Sequence, residues 1–270
     1  MDNGDGTFAV ITTKPNVSVR VFYEYANQTV NNVPAQNNTY TFHTVNTQVE
    51  LENSSGQLID EGTVQYYAGA WRDFGTTVNG VASKELLPVD YSFRMTYEYG
   101  SNDKQQDVSS NATVIFQTVN AAVQLQNSTG SLIDQGTVQY YAGAWRSFGT
   151  TINGAAHKEL LPNNYSFRMT YEYVSTDKQQ DLNTNPTVTF STVLCTVQVK
   201  DQQNQPVNNA DVKYYSGAWR EIGLTNSNGE ITKELLPANL SFRAALGTVH
   251  QDVQQDLSVN NIVQIVLSLQ

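Results

Sequence analysis

Six aromatic side chains are the residues of this sequence best suited to chemistry of their own. Tyr67 and Trp71, Tyr141 and Trp145, and Tyr215 and Trp219 each stand four residues apart in one repeated string. That string is TVQYYAGAWR at Thr63–Arg72 and again at Thr137–Arg146, softened to DVKYYSGAWR at Asp211–Arg220. Flat rings presented in pairs can stack on sugar rings, and weak sites repeated along one chain gain avidity. The competing use is structural. A small β-sandwich needs a large aromatic in its core or at a joint between units. The alternation of Val64, Tyr66 and Ala68 puts Tyr66 inside and Tyr67 outside. Core or joint packing is the favoured reading of the pairs, and glycan stacking is the alternative.

The remaining reactive types do not converge. His43, His157 and His250 fall at unrelated positions of the repeat, whereas catalysis or metal binding needs a cluster. Asp2–Gly6, DNGDG, has the close oxygen spacing of a calcium loop but lacks the later carboxylate ligand, so it reads as a turn. Cys195 stands where the previous repeat has Ala121, as a small core residue would. It is the only cysteine, so no disulfide can form within the chain. Glu85, Glu159 and Glu234 follow Lys84, Lys158 and Lys233, and with Arg94, Arg168 and Arg243 they read as cross-strand ion pairs. The expectation is therefore no enzyme, no catalytic or metal-binding residue and no cofactor.

Trp71, Trp145 and Trp219 recur every 74 residues. Such a period marks one folding unit copied in tandem. In 270 residues it gives three complete units, at about 46–119, 120–193 and 194–270, and a remainder at 1–45. The remainder matches the second half of a unit: VSVRVFYEY at Val17–Tyr25 aligns with YSFRMTYEY at Tyr91–Tyr99 and Tyr165–Tyr173, and NTYTFHTV at Asn38–Val45 aligns with ATVIFQTV at Ala112–Val119. About four strands are expected there.

Within a unit the period is two rather than 3.6. Tyr91, Phe93, Met95, Tyr97 and Tyr99 alternate with Ser92, Arg94, Thr96 and Glu98. Asn79-Gly80, Asn153-Gly154 and Asn228-Gly229 are hairpin signals, and Pro88, Pro162 and Pro237 end strands. Seven short strands are expected per unit, near 47–52, 63–70, 71–77, 81–87, 91–99, 104–108 and 112–119. That pattern predicts an all-β chain of seven-stranded sandwiches. The joints, such as ATVIFQTVNAAVQL at Ala112–Leu125, carry no Gly/Ser spacer, which predicts a stiff linear array.

Composition narrows the partners. Only 15% of residues are charged and the formal net charge is −10. That disfavours nucleic acid and anionic membrane surfaces, which need clustered Lys and Arg. No apolar run approaches a membrane span. The first ten residues, MDNGDGTFAV, have neither the basic nor the apolar region of a signal peptide. Either a leader has been removed or the chain is a segment of a longer one.

The third unit carries a family resemblance. TVQVKDQQNQPVNNADV at Thr196–Val212, GLTNSNGEITKELLP at Gly223–Pro237 and NLSFRAAL at Asn239–Leu246 resemble the prealbumin-like repeats of large bacterial surface proteins, kin to carboxypeptidase-regulatory-like and collagen-binding-protein B-type domains. The resemblance covers all three units and the half-unit. It implies an Ig-like or prealbumin-like sandwich used extracellularly in stalks, adhesins or filaments. Some relatives lock the sandwich with an isopeptide bond from a lysine in the first strand. Val49-Glu50-Leu51 and Val123-Gln124-Leu125 offer none there and Lys200 occurs only in the third unit, so that bond is not expected here.

Two further expectations concern the surface. Asn-x-Ser/Thr sequons at Asn16, Asn27, Asn37, Asn53, Asn111, Asn127, Asn164 and Asn239 would allow glycosylation of an exported protein. The half-unit, lacking its first strands, would expose Val17, Val19, Val21 and Tyr23 and an unpaired edge. The last strand, NIVQIVLSLQ, brings Ile265, Leu267 and Leu269 to the opposite end. Contact between such ends is head-to-tail and can build a filament. The expected partner is therefore the chain itself, in an extracellular filament at the cell surface. The alternatives are an adhesin stalk with repeated glycan sites and a passive spacer in a giant surface protein.

Overall fold

The computed structural model describes residues 7–269 apart from residue 37. Asp2–Gly6 and the sequon at Asn37 lie outside the described residues. Met1–Thr118 forms one unit and Val119–Gln270 a second.

The first unit opens with a hairpin, β1 (Asn16–Tyr23) and β2 (Ala26–Pro34). Seven strands follow: β3 (Val45–Glu52), β4 (Thr63–Tyr67), β5 (Trp71–Thr76), β6 (Val81–Leu86), β7 (Asp90–Tyr97), β8 (Gly100–Asp107) and β9 (Thr113–Gln117). They make one sandwich, with a three-stranded sheet β6-β3-β9 facing a four-stranded sheet β5-β4-β7-β8. All neighbours are antiparallel except β3 and β9, which run parallel.

The second unit holds two sandwiches of the same order. One comprises β10 (Val119–Gln126), β11 (Thr137–Tyr141), β12 (Trp145–Thr150), β13 (Ala155–Leu160), β14 (Asn164–Tyr171), β15 (Val174–Asp181) and β16 (Thr187–Ser191). The other comprises β17 (Val193–Asp201), β18 (Asp211–Tyr215), β19 (Trp219–Leu224), β20 (Glu230–Leu235), β21 (Asn239–Leu246), β22 (Val249–Asp256) and β23 (Ile262–Leu267). Each of the three is a seven-stranded β-sandwich, as the strand pattern implied.

The period-two pattern does what its chemistry requires. Tyr91, Phe93 and Met95 of β7 are buried between the sheets, and Ser92 and Arg94 face out. Tyr66, Tyr140 and Tyr214 are fully buried. In the first two sandwiches that tyrosine meets a neighbouring Phe and a neighbouring Tyr edge to face, at 5.8–6.1 Å between ring centres, the arrangement that the ring quadrupole favours. Cys195 is buried where Ala121 is buried one sandwich earlier, and burial pushes its thiol up to about 12.

A buried threonine ties the loop before the second strand to the loop after the third in every sandwich. Thr77, Thr151 and Thr225 accept a hydrogen bond from the backbone N–H of Gly62, Gly136 and Ala210 at 2.9 Å. Each hydroxyl donates in turn to the carbonyl of Ile59, Ile133 or Val207. Thr151→Val keeps the shape and orphans a buried N–H and C=O, so it should destabilise by about 1–3 kcal/mol. Chemical denaturation of the variant against wild type checks this.

Three expectations need correction. The piece before β3 contains two strands rather than about four among the described residues, and the stretch 38–44 forms none. Its counterparts β9 and β16 are held by β3 and β10, and no such partner flanks this stretch among the described residues. Even β1 and β2 slip register between Val17 and Val19, whereas β7–β8 and β14–β15 pair without interruption alongside β4 and β11. Second, the long strand near 91–99 ends at Tyr97, and Glu98–Tyr99 form the turn. Third, Asn228-Gly229 is a different turn from its counterparts. Asn79 and Gly80, and Asn153 and Gly154, all have positive φ, but only Gly229 does in the third copy. One extra residue there lets Asn226 Oδ1 accept from the N–H groups of Asn228 and Glu230.

Candidate functional site

Two constellations recur on this scaffold. The first crosses the outer face of the four-stranded sheet. Trp71 on β5 stands opposite Tyr67 on β4, and their rings meet edge to face at 5.5 Å. The Arg94 guanidinium, from β7, lies 4.1 Å over the Trp71 ring. It also makes a two-pronged ion pair with Asp103 on β8, at 2.7 and 2.8 Å. The set repeats as Tyr141, Trp145, Arg168 and Asp177, and as Tyr215, Trp219, Arg243 and Asp252. The arginine's hydrogen bonds hold each aspartate below the usual carboxylate range.

These positions refine the expectation of core packing. Tyr66 is in the core, but the tryptophans are half-buried on the outside, each with one face under an arginine. The surface free for a flat ligand is instead the tyrosine, with Tyr67, Tyr141 and Tyr215 exposed at 47–48%. Among the described residues the β1–β2 hairpin has no equivalent set: Arg20 faces Thr29 and bonds its hydroxyl at 2.9 Å.

The second constellation is a joint, which the sequence reading missed. In the first unit, the turn Glu24–Tyr25 between β1 and β2 plugs into the base of the sandwich that follows. The buried Tyr66 hydroxyl donates to Glu24 Oε2 at 2.9 Å and approaches its backbone carbonyl at 3.2 Å. Lys84 Nζ reaches the same carboxylate at 3.3 Å. The Tyr25 ring lies 3.9 Å from the Arg72 guanidinium, whose buried Nε has no hydrogen-bond partner among the described residues.

In the second unit the turn Glu172–Tyr173, between β14 and β15, meets the third sandwich in the same way. Tyr214 donates to the Glu172 carbonyl at 2.7 Å, and Lys233 pairs with the Glu172 carboxylate at 2.9 Å. Arg220 lies 3.6 Å over the Tyr173 ring. Ser216 adds a hydrogen bond to the Tyr173 carbonyl at 2.6 Å. A second anchor lies alongside: Glu234 accepts from the Ser128 N–H and hydroxyl and from the Thr192 hydroxyl. A sequence signal was available, since Tyr-Glu-Tyr recurs at 23–25, 97–99 and 171–173.

The hydrogen bond from Tyr66, together with Lys84, holds Glu24 below the usual glutamate range against the opposing effect of its own partial burial. Burial, reinforced by Glu24, drives the Tyr66 phenol well above its usual range. A carboxyl depressed in the folded state stabilises above the unfolded carboxyl's pKa, and that contribution fades as pH falls through the folded value. Acid should therefore loosen this joint. Carboxyl-detected NMR titration should place Glu24 below free glutamate, and Tyr66→Phe should move it upward. An unshifted Glu24 would refute the pairing.

The other expected sites divide. Val17, Val19 and Val21 are half-buried on β1 and Tyr23 is 40% exposed. Ile265 and Leu267 are not at a surface: they are buried in the core of their own sandwich, because β23 turns them inward while pairing with β17. Leu269 is half-buried beyond that strand. Asn16, Asn27, Asn111, Asn164 and Asn239 are exposed. Asn53 and Asn127 are half-buried, and their side-chain oxygens each accept two backbone N–H groups of their own turn. Among the described residues, no three His, Cys, Asp or Glu side chains are grouped to hold a metal, and no helix is long and apolar enough to cross a membrane.

No protein-family model matches the chain, and no curated protein matches it significantly. Among solved structures it is similar to the Bacillus anthracis TIE protein, at 11% identity over 84% of this chain and 50% of that one, with a TM-score of 0.27. It is similar to BcpA, the major pilin subunit of Bacillus cereus, at 11% identity over 83% of this chain and 99% of that one, with a TM-score of 0.24. It is also similar to the pilus adhesin SpaC from Lactobacillus rhamnosus GG, at 12% identity over 90% of this chain and 45% of that one, with a TM-score of 0.26. The chain thus spans half the length of the first and less than half of the third. Likenesses this loose carry no argument about function.

Proposed function

We propose that this chain is a non-catalytic structural protein of the bacterial cell exterior, a protomer that joins head to tail through its incomplete N-terminal half-unit. The observation that supports this reading is the state of β1–β2. Its counterpart β14–β15 is flanked by β11, whereas among the described residues β1 pairs with β2 alone. Phe22 and Val30 stay exposed on it. A free edge bearing apolar side chains is a template for another chain's strand. With Ile265 and Leu267 committed to their own core, the far end offers the outward side of β23, where Ile262 and Val266 are exposed. Sedimentation velocity and negative-stain images should show species that lengthen with concentration, and Val19→Asp with Val21→Asp should abolish them. Monomers alone at high concentration would sink the proposal.

A second reading has its own support in the three exposed tyrosines beside Trp71, Trp145 and Trp219. Under it the chain is an adhesin stalk whose repeated patches bind glycans weakly and in parallel. A glycan array probed with wild type and with Tyr141→Ala and Trp145→Ala decides it: hits that survive both changes, or no hits, remove it.

A further inference from the structure

We propose that the hollow bounded by Tyr66, Arg72 and Lys84, and again by Tyr214, Arg220 and Lys233, is a receptor for a Glu-Tyr β-turn of a preceding module of this same kind, and that the corresponding turn of the third sandwich is not a ligand for such a receptor. The ligand has three recognised parts. The carboxylate is taken by the lysine in both copies. The carbonyl of the same residue is taken by the buried tyrosine hydroxyl. The following aromatic ring covers the arginine, whose buried Nε has no other compensation among the described residues.

The turn itself bears the mark of selection for docking rather than for hairpin closure. Glu24 and Tyr25 have φ of 45° and 64°, and Glu172 and Tyr173 have 47° and 61°. A two-residue turn with both φ positive is normally built from Asn-Gly, because other residues are strained there. This chain uses Asn-Gly at Asn79-Gly80 and Asn153-Gly154, so the cheaper solution is within its repertoire. The strained pair recurs where the turn meets a following sandwich. In the third sandwich the same place, between β21 and β22, holds Gly247–Thr248. There only the glycine has positive φ, and nothing lies within 4 Å of where its Cβ would be. That turn has no carboxylate and no ring to offer. It therefore cannot fill a hollow of this kind as Glu24–Tyr25 and Glu172–Tyr173 do.

The test uses the whole chain. Glu24→Asn with Tyr25→Gly improves the turn as a hairpin and deletes the ligand, so a gain in hairpin order and a loss of docking pull in opposite directions. Amide exchange read by mass spectrometry should quicken at least tenfold across 16–34. Glu172→Gly with Tyr173→Thr, which transplants the last module's own turn, should quicken exchange at 171–174 and 214–219 to a similar extent. Unchanged or slower exchange in either variant would overturn the receptor. Gly247→Glu with Thr248→Tyr supplies a ligand at the far end. Combined with E24N/Y25G, which vacates the first receptor, it should give larger species by sedimentation than wild type at equal concentration, while neither pair alone does. No added association in the fourfold variant would overturn the claim that a carboxylate and a ring are what the Gly247–Thr248 turn lacks as a ligand. Exchange is read at a concentration where sedimentation shows monomers alone, so its outcome is independent of whether the chain forms filaments.

Discussion

Phe167→Ala should cost about 3–5 kcal/mol and take the middle sandwich close to unfolding. Phe167 lies on β14 with no exposed surface, and its ring meets Phe148 and Tyr165 at 5.7 and 6.2 Å. Truncation removes the buried ring, its edge-to-face contacts and the packing of two sheets that cannot close over the gap. A unit of the 74-residue period has a stability of about 4–11 kcal/mol at the usual value per residue. One side chain then represents a large part of the whole. Urea unfolding should show the midpoint falling with little change in slope. A loss below about 1 kcal/mol would mean that the core repacks, contrary to its close fit.

Gly229→Ala should be nearly as damaging, and Gly130→Ala is its control. Both glycines have positive φ, 71° and 83°. A Cβ at Gly229 would stand 2.4 Å from the Val199 carbonyl oxygen and 3.0 Å from the Val207 nitrogen, both backbone atoms, whereas at Gly130 nothing lies within 4 Å. The control carries only the left-handed strain, about 1–2 kcal/mol. Gly229→Ala adds overpacking of about 1–3 kcal/mol, because backbone in a paired strand cannot step aside. Equal losses in the two variants would show that backbone conformation alone sets the cost.

Much of the sandwich was legible because its signals are local. Alternation in Tyr91–Met95 states which face is buried, and the recurrence of TVQYYAGAWR states where each copy begins. What stayed illegible depended on partners distant in sequence. The string at Asn38–Thr44 looks like β9 and β16 but forms no strand, since strand character there comes from a β3-type neighbour and not from composition. Ile265 and Leu267 looked like an exposed terminal strand, yet the parallel pairing of β23 with β17 commits them to the core. The Trp-Arg-Asp strip was half visible: the arginine's ion pairing could be read, but its guanidinium over the indole spans strands that are not sequence neighbours. The joint escaped because Glu98 and Tyr99, and their copies, continue an alternating pattern and so read as strand. Only the left-handed φ values reveal a turn.

The same turns bear on how the chain folds. A hairpin closes in about 1–10 μs when its turn is favourable, but Glu24–Tyr25 and Glu172–Tyr173 oppose closure until the hollow behind them exists. Each such hairpin is thereby kinetically dependent on the module that is synthesised after it. On an emerging chain the turn of the earlier hairpin stays open until downstream residues leave the ribosome and fold. The hairpin at Gly247–Thr248 has a glycine at its one positive-φ position and closes unaided. Within each unit, native order would then spread backwards, from the sandwich that holds the hollow to the hairpin that precedes it.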